Sequence, residues 1–368
     1  MIKKTACAVL VPAAVLFLAA GALGGEEKDI ILFKDHTEKK VDKVTEENYA
    51  HVKYINAGRT EQVKASDVED VTYASAPQTF QNARGLMNSK KYEEAIESFK
   101  KAADASSADW IKPYTLYYRA HCHRKLGLRE PSHYEEAAEL YGTLLKEFPH
   151  TRFLAPALYY RGQALTQAEQ YQEADKTFTR LTTEVSDKAL EERWAHLGLV
   201  AQAHVKEAQG YYDEAFYKYE SIYNTTRSTH PSVANKALLR KGLCLIKQKK
   251  FSQAKTYFQD LFRSASGEDI QAREIKAGAA IGLGHCFLND DNVREARHWF
   301  LKAMVLYFSE EFTPEAMYYA GLCYEKLEKR EGGAKKRAKI IFSDLLIRFP
   351  NSQWAAKAKE KNYQVLPE

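Results

Sequence analysis

The most constraining feature of this 368-residue sequence is a pattern that recurs seven times between Pro77 and Ser352. In each copy an alanine is followed four residues later by an aromatic residue, and three residues after that by a small or apolar residue. Another small residue precedes the alanine, by 12 residues in five copies and by 17 residues in the other two. The alanines and their aromatic partners are Ala95 and Phe99, Ala137 and Tyr141, Ala174 and Phe178, Ala215 and Tyr219, Ala254 and Phe258, Ala296 and Phe300, and Ala338 and Phe342.

The spacing within each copy predicts a helix-turn-helix hairpin. Offsets of four and three residues place the alanine, the aromatic and the third residue on one stripe of a helix. The upstream small residue belongs to a preceding helix, where its lack of bulk lets the two helices approach closely. One hairpin cannot bury its own apolar face, so the copies must stack into a curved solenoid with a continuous core. The upstream small residues are Ala83, Ala120, Gly162, Ala203, Gly242, Gly284 and Gly321.

Two copies differ from the rest in the segment between their predicted helices. Their longer spacing comes from five-residue insertions around residues 127–132 and 328–333, both rich in helix-breaking residues. We therefore expect the second and seventh hairpins to have longer turns than the other five.

The pattern resembles the tetratricopeptide repeat, whose hallmarks are small residues at its eighth and twentieth positions and an aromatic at its twenty-fourth. The resemblance covers residues 77–352 and implies a mostly α-helical solenoid of about seven repeats. Successive alanines are 42, 37, 41, 39, 42 and 42 residues apart, so the units are longer than the roughly 34 residues usual in the family. Two units end in Phe-Pro, as in exported bacterial members. Residues 353–368 are interpreted as a capping helix and tail.

Residues 29–75 have a different, β-like pattern. Residues 30–33 are an apolar run ended by a turn, and residues 51–55 alternate between polar and apolar side chains. The segment resembles the small SH3-like or Sm-like barrels at the start of some exported bacterial proteins, which implies a packing or assembly module. It lacks the basic and aromatic platform that RNA binding would require.

Residues 1–25 have the pattern of a bacterial secretory signal. Lys3 and Lys4 precede an apolar run over residues 6–23, and small residues follow at Gly24 and Gly25. The sequence therefore predicts a cleaved signal peptide and a periplasmic protein. The alternative is an uncleaved membrane anchor, because the apolar run is close to the roughly 20 residues that span a bilayer.

The charge balance argues against a nucleic-acid partner. The chain has 54 basic and 49 acidic side chains, a formal net charge of +5. Without Lys3 and Lys4 the balance is 52 to 49, or +3. Such an even balance gives no electrostatic basis for binding phosphate backbones.

Four cysteines remain after the predicted signal, each two residues after the small residue of its copy. Equivalent positions in the other copies hold glycine, alanine and valine, so the position predicts a tight apolar environment and buried free thiols. Equivalent positions in neighbouring hairpins should lie about 8–10 Å apart, too far for disulfides. The cysteines are Cys122, Cys244, Cys286 and Cys323.

The sequence predicts no catalytic constellation, cofactor site or metal site. His121 and His123 are adjacent to Cys122, but residues two apart on a helix point about 200° apart and cannot share one ion. No phosphate-binding loop or zinc-protease motif occurs.

The resemblance implies that the first helix of each hairpin lines a concave groove in which peptide ligands lie. It places one row of side chains three residues before the small residue and another row one residue after it. An apolar and aromatic row beside a polar row would suit a peptide or an amphipathic helix. The predicted partner-binding residues are Phe80, Arg84, Tyr117, His121, Arg124, Tyr159, Gln163, His204, His285 and Tyr318.

Two functional hypotheses remain open. The first is a non-catalytic exported scaffold that binds another cell-envelope protein or peptide through the concave face. The second is a module for glycan or anionic lipid, with possible peripheral membrane or cell-wall association, that uses groove tyrosines and the basic residues Lys335, Lys336, Arg337 and Lys339.

Overall fold

The computed structural model describes residues 28–267, 269–309, 312–350 and 352–366. The predicted signal at residues 1–25 lies outside this range. The described residues form six β-strands: β1 (Asp29–Phe33), β2 (Glu38–Val41), β3 (Lys43–Glu47), β4 (His51–Asn56), β5 (Arg59–Lys64) and β6 (Val68–Thr72).

Fifteen α-helices follow the strands in the described part of the chain, and among them none is both long and apolar enough to cross a membrane. The helices are α1 (Gln78–Asn88), α2 (Tyr92–Asp104), α3 (Ile111–Leu126), α4 (Ser132–Glu147), α5 (Leu154–Gln167), α6 (Tyr171–Asp187), α7 (Glu192–Ala208), α8 (Tyr212–Thr226), α9 (Pro231–Lys247), α10 (Phe251–Ser264), α11 (Ile270–Asn289), α12 (Val293–Val305), α13 (Thr313–Lys326), α14 (Ala334–Arg348) and α15 (Gln353–Glu360).

The strands form a β module of two three-stranded antiparallel sheets, ordered β2-β1-β6 and β3-β4-β5. Strands β1 and β4 coincide with the strand-like segments 30–33 and 51–55 that the sequence indicated. Strands β2 and β3 were not predicted, because most of their residues are charged and each contributes one buried apolar side chain, Val41 or Val44. Local hydrophobicity is therefore a weak signal for strands that are half exposed.

Helices α1 to α14 form the seven predicted hairpins, each made of a first and a second helix. The aromatic residue of the second helix lies against the small residue of the first. A methyl group built on Gly162 would lie 2.5 Å from the Phe178 ring, and one on Gly284 would lie 2.6 Å from Phe300. The small residues are therefore required by steric contact. The fully buried aromatics of this position are Phe99, Tyr141, Phe178, Tyr219, Phe258, Phe300 and Phe342.

The turns inside the hairpins confirm the predicted insertions. In five hairpins the residue two positions before the second helix has a positive φ: Lys90, Glu169, Gly210, Lys249 and Asp291. These five turns are short, and each has one residue in the left-handed backbone conformation. Only Gly210 adopts this conformation without steric strain, because it has no side chain. The insertions at 127–132 and 328–333 lie in the longer turns of the second and seventh hairpins.

The core is continuous between the β module and the first repeats. One cluster of buried side chains extends from Ile31 in β1 to Val205 in α7. At the other end, α15 lies in the segment where a capping helix was predicted and packs against α13 and α14, and Tyr363 beyond it stacks on Phe342 with ring centroids 4.0 Å apart. The β module and α15 therefore each pack against repeats of the described solenoid.

The four cysteines of the described chain are buried free thiols, as the repeat spacing predicted. Burial raises the pKa of each thiol to about 12. These cysteines therefore act as small core residues, since the reactive thiolate form is suppressed.

The contact between glycine and aromatic ring can be tested by adding a single methyl group. We expect Gly162→Ala to destabilise the protein by about 1–3 kcal/mol, because the new methyl overlaps the Phe178 ring. Gly85→Ala in α1 is the matched control, since a methyl there meets nothing within 4 Å. The control should stabilise the fold by about 0.5–1 kcal/mol, as alanine restricts the unfolded chain. Urea denaturation of both variants measures the difference, and equal effects would contradict this packing.

Candidate binding surface

The first helices of consecutive hairpins line one side of the solenoid. Neighbouring first helices contact one another directly, from α3 with α5 through to α11 with α13. Contacts between consecutive second helices are sparser, so the first helices lie on the inside of the curve. We call this side the inner surface; it is lined by α1, α3, α5, α7, α9, α11 and α13.

The row predicted three residues before the small residue is less exposed than expected. Phe80 is 3% exposed, and Tyr117 stacks on Phe153 with ring centroids 4.3 Å apart. The buried members of the row contribute to the packing between hairpins, so they cannot contact a ligand. Tyr117, Tyr159 and Tyr318 are partly exposed and remain accessible. The other buried members are Val200, Leu239 and Ile281.

The next first helix supplies aromatic rings that were not among the predicted partner-binding residues. Arg84 lies over the Tyr118 ring at 5.9 Å, and His285 lies edge-on to Tyr319 at 4.5 Å. Both tyrosines occur two residues before the small residue of their copy, a position beside the predicted row. Charged or polar side chains of one repeat are therefore held against the aromatic ring of the following repeat.

The same kind of contact occurs between the second and third repeats, where it involves two of the predicted partner-binding residues. The Arg124 guanidinium lies 4.5 Å from the centre of the Tyr160 ring, and His121 meets that ring edge-on at 6.4 Å. The structure thus brings His121 and Arg124 to one ring. Attraction between a guanidinium and an aromatic face contributes about 0.5–2 kcal/mol.

Partly exposed polar pairs occupy the inner surface of the later repeats. The His285 Nε2 atom is 2.8 Å from a carboxylate oxygen of Glu315, which joins α11 to α13. In α5 the Gln163 side-chain amide donates to the Tyr159 hydroxyl at 2.9 Å. These groups are accessible and have remaining hydrogen-bonding capacity.

His204 lies beside a buried polar network at the centre of the solenoid. The Tyr219 hydroxyl donates to Glu207 at 2.9 Å, and the other Glu207 oxygen is 3.6 Å from Arg240. Burial, with a smaller contribution from Arg240, lowers the pKa of His204 to about 4. His204 is therefore neutral near pH 7.

The β module covers the first end of the inner surface. Arg84, a predicted partner-binding residue, is paired with Asp70 of β6. The Tyr114 hydroxyl of α3 donates to Glu47 of β3 at 2.9 Å. The ring of Tyr73 stacks on Trp110 at 4.1 Å. Because the module holds Arg84 within the chain, the accessible part of the inner surface begins further along the solenoid.

The joint between the module and the solenoid is centred on a buried ion pair. The Arg152 Nε atom is 3.0 Å from Glu47, and their side chains are 7% and 8% exposed. Arg152 also donates to the Glu69 carbonyl at 3.2 Å. Breaking a buried pair leaves one charge without compensation, which is far more costly than losing a surface pair.

Removing one partner of this ion pair should loosen the joint. We expect Glu47→Ala to destabilise the protein by about 3–5 kcal/mol, because Arg152 stays buried without its carboxylate. The neighbouring Glu46, which forms an exposed pair with Lys53, is the control; Glu46→Ala should change the free energy of unfolding by about 1 kcal/mol or less. The double variant Glu47→Leu with Arg152→Met should recover much of the loss. Thermal unfolding in which Glu47→Ala matches Glu46→Ala would contradict this account.

Two histidines of the inner surface should make the folding stability of the protein sensitive to acid. Burial, reinforced by Arg124 and Lys125, lowers the pKa of His121 to about 3, and that of His204 is about 4. Unfolded histidine titrates near pH 6.5, so the unfolded state binds more protons below that pH and the folded state loses stability. Each histidine should contribute a loss of about 1.4 kcal/mol between pH 7.5 and 5.5.

Urea denaturation at the two pH values measures this loss. The double variant His121→Gln with His204→Gln should be less acid-sensitive than the parent by about 2–3 kcal/mol. His36, whose side chain is 84% exposed, provides the control, and His36→Gln should leave the acid sensitivity unchanged. An unchanged acid sensitivity in the double variant would show that these imidazoles are not buried as described.

Comparison with known proteins agrees with this architecture. Family models described as tetratricopeptide repeat match residues 86–109, 128–188, 236–265 and 315–352. These segments fall on the first, second and third hairpins and on the fifth and seventh. No curated protein matches the chain significantly.

Several solved structures are similar to this chain at low sequence identity. The apo form of the quorum sensor NprR from B. thuringiensis is 13% identical, with 77% of this chain and 81% of that chain covered and a TM-score of 0.44. A tetratricopeptide repeat protein from Parabacteroides merdae is 19% identical, with 66% and 97% covered and a TM-score of 0.38. A Rap protein complexed with competence and sporulation factor is 13% identical, with 77% and 72% covered and a TM-score of 0.41.

These likenesses, with TM-scores below 0.5, say nothing about what this chain binds. The helical part of this chain is a solenoid of seven hairpins, and the segments that the family models match show that its repeats are similar to tetratricopeptide repeats.

Proposed function

We propose that this chain is a non-catalytic scaffold that binds a protein partner along the inner surface of α5 to α13. One observation supports this most directly: the β module covers the first end, while the later first helices keep aromatic and polar side chains accessible. Aromatic side chains supply contact area at low entropic cost, and polar pairs fix orientation. This combination suits an extended segment or an amphipathic helix of a protein.

The chemistry of the accessible surface is mixed rather than strongly charged. His285 lies 2.8 Å from Glu315, and Leu243 and Leu322 occupy the positions equivalent to His285 in two other repeats. A partner segment with apolar anchors and a few hydrogen-bonding groups would match this surface. We further propose that the chain acts in the bacterial cell envelope after export, because residues 1–25 have a signal-like pattern. The β module, whose sequence resembles SH3-like barrels, would then be a packing unit.

Site-specific photo-crosslinking in cells tests the binding proposal. A crosslinking amino acid at Gln163 or Leu243 on the inner surface should yield discrete protein adducts, identified by mass spectrometry. The matched control position is Lys218, which is exposed on the second helix α8. Adducts of equal yield from Lys218, or none from Gln163 and Leu243, would contradict partner binding at the inner surface.

Substitutions at the same surface give an independent measurement. His285→Ala with Leu243→Ser should weaken capture of the crosslinked partner by about tenfold or more, while helicity measured by circular dichroism stays unchanged. The expectation follows from the loss of one polar and one apolar contact, each contributing about 1 kcal/mol.

N-terminal sequencing of the cellular protein tests export: a start near residue 26 supports signal cleavage, whereas an intact start in the membrane fraction supports the anchor.

A second candidate function rests on helix α14. Its first turns expose four basic side chains, Lys335, Lys336, Arg337 and Lys339, and the helix also leaves Ile340 49% and Ile347 59% exposed. Basic and apolar side chains on one helix favour contact with an anionic lipid surface or cell-wall polymer. Co-sedimentation with anionic vesicles that decreases with salt would support this function, and no sedimentation at low salt would remove it.

A further inference from the structure

A group of metal-ligating side chains lies at the turn of the second hairpin, outside the inner-surface residues proposed to bind a partner. His123 belongs to the last turn of α3, and His133 and Glu136 belong to the first turns of α4. The insertion at 127–132 connects the two helices and brings His133 opposite His123. In the sequence only His121 and His123 suggested a metal site, and these two residues are on different sides of α3, so the group with His133 and Glu136 was not predicted.

The three side chains converge on one point. The Nδ1 atoms of His123 and His133 are 3.0 Å apart. A carboxylate oxygen of Glu136 is 2.6 Å from the His123 Nδ1 atom and 3.5 Å from the His133 Nδ1 atom. In a tetrahedral zinc site with bonds near 2.0–2.1 Å, ligand atoms are separated by about 3.3 Å. The three distances surround that value, so one ion would require only small movements.

Hydrogen bonding alone satisfies this arrangement incompletely. A ring nitrogen carries either one proton or one lone pair, so the two facing Nδ1 atoms can share a single proton. If the proton on the His123 Nδ1 atom is directed to Glu136, no proton lies between the two Nδ1 atoms. The two rings then face each other without a hydrogen bond between them. A cation accepts the lone pairs of both nitrogens and of the carboxylate at once.

The surroundings of the three side chains include a further carboxylate. His123 is 8% exposed, so its ring is largely shielded from solvent. A second carboxylate, Glu130 in the insertion, lies 3.9 Å from the other ring nitrogen of His133. Carboxylates at this place commonly orient metal-bound histidines.

We propose that His123, His133 and Glu136 bind one Zn²⁺ ion, which ties α3 to α4 across the inserted turn. Two imidazoles and a carboxylate suit zinc, and three protein ligands leave a fourth position for water. The Glu136 side chain is 52% exposed, so the ion has a path from solvent. The inserted turn would then be stabilised by coordination in place of the short left-handed turn of five other hairpins.

A second group of possible metal ligands elsewhere in the chain must be distinguished from this site in the experiment. Glu192, His196 and His230 have ligand atoms within 4.8 Å of one another, and all three are more exposed than His123. The reference protein for the experiment is therefore the full chain with His230→Gln, which removes a ligand of that second group.

The experiment measures Zn²⁺ binding to tag-free, chelator-treated protein by competition with a chromophoric chelator. The reference protein should bind one equivalent, and Co²⁺ in its place should give the visible absorption of a four-coordinate ion. His133→Ala should reduce the Zn²⁺ affinity at least about 100-fold, since even outer-shell partners change metal affinity about 10–100-fold. The exposed neighbour Glu135 is the matched control, and Glu135→Gln should bind Zn²⁺ like the reference.

Circular dichroism of each variant shows whether it is folded, and the partly exposed His133 can be replaced without opening the core. Zn²⁺ should also raise the Tm of the reference protein but not of His133→Ala. The proposal is overturned if the reference protein binds no Zn²⁺, or if His133→Ala binds it with unchanged affinity.

Discussion

The contact between the small residue of each first helix and the aromatic ring of each second helix is the interaction on which the rest of the structure depends. With alanine or glycine at this place, the two helices of a hairpin approach closely, and the ring fills the space between that hairpin and the next. The contact is present at the four glycine copies, Gly162, Gly242, Gly284 and Gly321, and the aromatic ring is fully buried in all seven repeats. Each hairpin is therefore added with a similar orientation. The inner surface is a consequence, because first helices contact one another along the inside of the curve.

The β module changes what this repetitive scaffold presents to a partner. The module shares a core with the first repeats and is joined to them by a buried ion pair between Glu47 and Arg152. The same joint holds Arg84 against Asp70. The first repeats therefore serve the internal packing of the chain, and the later repeats are available for binding.

The sequence predicted which helices line the candidate site, but only partly which of their side chains are accessible. The repeat register placed His285 and Gln163 on the inner surface, where both are partly exposed. It could not separate Phe80, which is buried, from Tyr159, which is accessible, because both occupy the same position in their repeats. Exposure at equivalent positions depends on the side chains of the preceding and following hairpin, and a pattern within one repeat does not contain that information.

What the sequence by itself determined is local: seven hairpins, two longer turns and four buried thiols all follow from spacing along the chain. Helical periodicity fixes which side chains share a face, and it needs only neighbouring residues. The tertiary structure alone decided which parts of the chain meet across long separations. It brought Glu47 to Arg152 and His123 to His133, because the approach of two elements depends on how every hairpin between them is packed.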